Sequence, residues 1–191
     1  MSISLQKGER ASLSKDGHTN FYVGLGWDAS AGGSTMDLDA SAFILSGEKL
    51  AREKDFVYYN NLKDPSGVVT HTGDNLTGDG DGDDEALIVD LSKITPGTDE
   101  ISIIVSIYQG TEKHQNFGQV KNAFIRICEL NADNTPGKEV LRADLEEDYS
   151  AYTVLQFGSI YLKNGEWKFQ FAGNGYKADL NAVVAQYAAT V

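Results

Sequence analysis

An all-β fold, a β-sandwich of about nine strands with a C-terminal helix, is what this sequence predicts. Three observations lead there. Short β-branched and aromatic runs recur along the chain. Its 20 glycines and three prolines punctuate those runs instead of clustering. Helical spacing is convincing in one segment only, near the end.

Taken in order, the predicted strands are Asn20 to Trp27, Leu38 to Leu45, Phe56 to Tyr59, Leu87 to Leu91 and Ile101 to Tyr108. Ala123 to Leu130, Val140 to Ala143, Val154 to Leu162 and Trp167 to Ala172 complete the set. The run Ile101 to Tyr108 is apolar at most positions, which suits a central strand covered on both faces. Small residues in Ala40 to Leu45 imply close packing. Asn164-Gly165 can both adopt positive φ, giving the primed hairpin turn that matches strand twist. From about Ala178 to Ala188, Leu180, Val183, Val184 and Tyr187 share one helical face. With 191 residues, no linker-like shift in composition and no fixed repeat, the chain reads as a single domain, 1–191.

Charge narrows the function. Against 16 basic residues stand 28 acidic ones, a formal net charge of −12. Such a field repels phosphates, so nucleic acid is an unfavourable partner, and a membrane surface is reachable only through bridging cations. Cys128 is the one cysteine, so neither an intrachain disulfide nor a thiolate zinc cage is expected, and its strand context makes it a buried side chain. No secretory signal or membrane span is apparent, which makes the cytoplasm the expected compartment.

The most informative stretch is Thr72 to Glu85, which holds Asp74, Asp79, Asp81, Asp83, Asp84 and Glu85 with no basic residue. Two carboxylates about 7 Å apart repel by about 2 kcal/mol at an effective dielectric near 20. A divalent ion relieves that repulsion, and carboxylate and carbonyl oxygens are the ligands it prefers. Gly78, Gly80 and Gly82 allow the sharp bends such a loop needs, and Asn75 adds an amide oxygen. The crowding of acids favours calcium over magnesium, which keeps its waters and strict octahedral angles. The other reading is a solvated loop without ligand. Against it, the apolar strand beginning at Ala86 tethers the acids closely.

An EF-hand fits badly: Asp84 stands where glycine is needed, Asp90 takes the twelfth position, and the flanks read as strands. A second acidic group comprises Asp28, Asp37 and Asp39. Asp37 and Asp39, two apart at a strand entrance, point to the same side. They either complete a calcium site from a neighbouring loop or serve as turn residues beside Gly32-Gly33. Asn60-Asn61 reads as a turn at a strand end.

Catalytic signals are sparse. His18, His71 and His114 are scattered, and His71 reads as a turn residue before the acidic loop. Trp27 and Trp167 read as core or sheet-face residues. A calcium-dependent hydrolase using the same carboxylates is the rival from another class. The acidic glycine segment would repel a nucleotide's phosphate.

Several motifs occur in order: Gly24-Leu-Gly-Trp-Asp28, Asp37-Leu-Asp-Ala-Ser-Ala-Phe43, His71-Thr-Gly-Asp-Asn75, Gly80-Asp-Gly-Asp-Asp-Glu85, Gln115-Asn-Phe-Gly-Gln-Val120 and Asn122-Ala-Phe-Ile-Arg126. Together they resemble the TerD family of tellurium-resistance and stress-response proteins, over nearly the whole chain. The resemblance implies a non-enzymatic, calcium-binding β-sandwich that acts with other stress-response proteins, including members of its own family. It implies more than one calcium ion, with ligands among Asp28, Asp37, Asp39, Asp74, Asn75, Asp79, Asp81, Asp83, Asp84 and Glu85. It also brings a cAMP-binding alternative, described for slime-mould relatives. With one cysteine and two methionines, direct chelation of soft tellurium has little support.

Overall fold

The computed structural model describes residues 3–4, 7–13, 17–28, 35–78, 82–145 and 149–188. Its strands are β1 (Ile3–Ser4), β2 (Arg10–Ser12), β3 (Asn20–Asp28), β4 (Leu38–Ser46), β5 (Lys49–Leu50), β6 (Phe56–Val57), β7 (Val69–His71) and β8 (Glu85–Asp90). Then follow β9 (Glu100–Ile107), β10 (Lys121–Leu130), β11 (Pro136–Asp144), β12 (Val154–Lys163), β13 (Glu166–Tyr176) and the helix α1 (Leu180–Tyr187). Every strand predicted from sequence has a counterpart. The short β1, β2, β5 and β7 were not anticipated, because two or three residues carry no readable alternation.

Two sheets stack into the predicted sandwich. The first runs β1-β11-β10-β3-β8-β7 and the second β2-β13-β12-β9-β4-β5, with β6 also pairing β4. Among the described residues, all strand pairings are antiparallel except β1 with β11. Between β12 and β13, Asn164 and Gly165 have φ of 55° and 76°, the backbone a primed two-residue turn requires.

Strand alternation divides β4 and β9 between two cores. Leu38, Ala40, Ala42 and Ile44 point inward with Ile101, Ile103 and Val105, against Val23, Leu25, Leu87 and Ile125 of the first sheet. Phe43, Leu45 and Ile104 point outward and pack beneath Val183, Leu180, Val184 and Tyr187 of α1. The helical face read from sequence is therefore the buried one, and β9 is covered on both sides. This parity sends Asp39 of β4, and Asp37 just ahead of the strand, to the outer face of the second sheet. Cys128 is buried, and burial pushes its thiol further up. Among the described residues no helix is long and apolar enough to cross a membrane.

Candidate metal centre

Three carboxylates meet at one end of the sandwich. Asp37 and Asp39 come from the entrance of β4, held in register by Leu38 opposite Ile107 and Asp39 opposite Ser106. The Tyr108 amide donates to the Asp37 carbonyl at 2.8 Å, which fixes the strand end. Asp74 arrives from the loop after β7. One oxygen from each of Asp37, Asp39 and Asp74 lies within 4.8 Å of the other two. Asp39 is only 2% exposed and Asp37 9%, whereas Asp74 is exposed and opens the group to solvent.

Burial and crowding act together on these acids. Desolvation, followed by the charges of Glu85, Asp37 and Asp74, pushes the Asp39 carboxyl up to about 8. Desolvation and Asp74 raise Asp37 to about 6, with Lys113 working in the opposite direction. At 4.8 Å and an effective dielectric near 20, each ionised pair costs about 3 kcal/mol. The Asp37 Oδ1 atom is buried and accepts no hydrogen bond among the described residues. An all-oxygen group with an unspent buried acceptor suits a hard divalent cation, and it lacks the nitrogen and sulfur donors that zinc prefers.

A hydrogen-bonded frame surrounds the trio. Glu85, 1% exposed, accepts from the Ala40 amide at 2.8 Å and from the Asn75 amide at 3.2 Å, so one side chain ties β8 to β4 and to the loop. Burial raises its carboxyl, and contacts from His71, Ala40 and Asn75 pull it back. His71 Nδ1 accepts from the Gly73 amide at 3.1 Å, which leaves Nε2 as the protonated nitrogen, 3.4 Å from Glu85 Oε2. Asn75 Oδ1 accepts from the amides of Thr77 and Gly78, both at 3.1 Å, and shapes the loop as an Asx turn. Its Nδ2 donates to Asp84 at 3.1 Å, and Asp84 also accepts from the Trp27 amide at 2.9 Å. Gly78, at φ +67°, lies so close to the indole that a Cβ there would sit 2.4 Å from Trp27 Nε1.

With this geometry, a match of residues 1–187 to the TerD domain model decides the family. The chain belongs to the TerD domain family. It is 50% identical to the tellurium resistance protein TerD of Serratia marcescens, over 98% of this chain and 97% of that one. It is 43% identical to general stress protein 16U of Bacillus subtilis, over 98% and 97%. In fold it is similar to a crystal structure of a homologue of telluride resistance protein (TerD) from Streptomyces coelicolor A3(2). The TM-score is 0.74 at 21% identity, covering 91% of this chain and 100% of that one.

The ten acids and amides singled out in this TerD chain separate into distinct surroundings. Asp37, Asp39 and Asp74 converge, while Asn75, Asp84 and Glu85 brace the loop around them. Asp83 meets Arg126, accepting from Nε at 3.0 Å and Nη2 at 2.6 Å. Asp28 is exposed and accepts from Asn122 at 2.6 Å. Asp79 and Asp81 lie outside the described residues. His71, expected in a turn, instead ends β7 with its side chain fully buried. Arg126 as the partner of Asp83 also escaped the sequence reading. Its position in the alternation of β10 was the available signal, but nothing local named its mate.

Proposed function

We propose that this TerD domain is a calcium-binding, non-enzymatic stress-response protein of the tellurium-resistance type. The trio Asp37, Asp39 and Asp74 forms the nucleus of the ion site, and the Asp74 to Glu85 loop is ordered by the ion. The carrying observation is the convergence of three carboxylates with a buried, unbonded Asp37 oxygen. Bound calcium supplies two positive charges that offset the mutual repulsion of these acids. The remaining work belongs to the chain: Glu85 and Asn75 hold the loop against β4, and Asp84 anchors it to β3 through the Trp27 amide. Additional acids of the segment serve further ions.

The names of the Serratia and Bacillus relatives support resistance or stress roles. The site of action is the cytoplasm, and the partners are other stress-response proteins, TerD relatives among them. Contact with a membrane is made only through bridging calcium, since a net charge of −12 otherwise repels an anionic surface. Thermal melting tests the ordering. Calcium at about 100 times its dissociation constant stabilises by about 2.7 kcal/mol relative to a chelating buffer. Identical melting temperatures in the two buffers would defeat the proposal.

A further inference from the structure

Beside the metal centre, along the outer face of the second sheet, runs a cleft of about 710 Å³. That volume is in the range of small-molecule sites. Asp39 and Ser106 line it and face each other across β4 and β9. Both are at least 98% buried, and Ser106 Oγ has no hydrogen-bond partner among the described residues. The cleft thus holds two buried oxygen acceptors, one of them unspent.

Its walls are aromatic and fixed. Tyr58 and Tyr59 meet edge-on with ring centres 5.0 Å apart, and Tyr59 and Tyr108 are perpendicular at 5.7 Å. Tyr58 is stacked on Phe56 at 4.4 Å, which is stacked in turn on the core residue Phe43 at 4.4 Å. Such a ladder pre-organises the rings before any ligand arrives. Around it, Glu53, Glu112 and Asp179 add negative charge, with Lys54 the one base among the described lining residues.

Aromatic faces carry negative electrostatic potential, so rings and acids select the same sign of ligand. The chain demonstrates this itself, placing the Lys113 ammonium 4.9 Å from the Tyr108 ring centre. A carboxylate or phosphate ligand would meet the opposite field.

We propose that this cleft binds a small alkylammonium ion, its chain packed on Tyr58, Tyr59 and Tyr108 and its N–H groups donating to Asp39 and Ser106. Because Asp39 belongs to both the cleft and the carboxylate trio, calcium and the ammonium ion oppose one another. That coupling alone rests on the calcium reading; binding of the amine does not.

The test is calorimetric titration of the full chain with cadaverine in a chelating buffer at low salt. Saturable binding is expected, weakened about fivefold in Tyr59→Leu and about fivefold in Tyr108→Leu. Tetramethylammonium, which has no N–H to donate, binds more weakly than cadaverine. Both tyrosines reach solvent, so the variants fold, and an unchanged melting temperature verifies it. No saturable heat with cadaverine, or equal affinity in wild type and both variants, would overturn the proposal. Tetramethylammonium binding as tightly as cadaverine would overturn the roles of Asp39 and Ser106. Repeating the titration in calcium separates the two readings. Cadaverine binding that calcium leaves unchanged strikes at the trio as the ion site, whereas calcium binding without any cadaverine binding strikes at the cleft.

Discussion

Asp39 is placed where a carboxylate is hardest to keep ionised, buried in the sheet and close to Asp37 and Asp74. Its carboxyl is raised from an ordinary 3.8 to about 8, and that of Asp37 to about 6. The folded chain therefore holds protons that the unfolded chain has released. Stability from these groups is fully present below about pH 4 and is lost as pH rises through 6 towards 8. Denaturant melts in chelating buffer should show this fall, and saturating calcium should flatten it, because calcium affinity rises over the same range as the acids deprotonate. A chelated protein whose stability climbs from pH 5 to 8 would contradict the assignment. Asp83 behaves differently because its charge is already spent on Arg126. Asp83→Asn removes the bidentate carboxylate from a partly buried guanidinium and leaves it only the longer contact to Glu139, 3.4 Å from Nη1. A loss of about 2 kcal/mol is expected, below the usual cost of breaking a buried pair because Arg126 reaches solvent. Calcium should still raise its melting temperature. At this scale, the shared side of Asp37 and Asp39 was legible from their two-residue spacing. The Asp83–Arg126 pair was not, since the 43 residues separating them give no local signal.

At the scale of elements, β4 does two jobs through alternation. Even positions from Leu38 to Ile44 fill the inter-sheet core, while odd ones carry Asp37 and Asp39 and then Phe43 and Leu45 under α1. Long strands such as β9 and β10, the Asn164-Gly165 turn and the face of α1 were readable because each repeats its signal over several residues. β5 and β7 were not, and neither was the role of His71, which depends on a strand of three residues. The loop leading from β7 to the acids is held by Asn75 and by contact with Trp27. Gly78→Ala should disturb both, since it introduces a side chain at φ +67° and drives a Cβ to 2.4 Å from the indole nitrogen. A loss of about 2 kcal/mol is expected, with a shift in tryptophan emission and weaker calcium binding. Unchanged emission and stability would show that the loop does not rest on Trp27.

For the whole molecule, the sandwich supplies the framework that brings three of its 28 acidic residues, Asp37, Asp39 and Asp74, together at the entrance of β4. Family membership and the two-sheet architecture were both legible in ordered motifs and strand rhythm. The convergence of Asp74 with Asp37 and Asp39 was only half legible, because it joins a loop to a strand of the other sheet through long-range packing. The aromatic cleft was invisible for the same reason: Tyr58 and Tyr59 share one segment, but Tyr108, Ser106 and Asp39 come from others and join them only once the chain is folded. The most direct test of the ion site is calorimetric titration with calcium at pH 7, in two buffers of different ionisation enthalpy. Wild type should bind saturably and release protons from Asp37 and Asp39, and Asp39→Asn should weaken that binding at least about tenfold. No saturable heat in the wild type, or the same affinity in Asp39→Asn, would contradict the account.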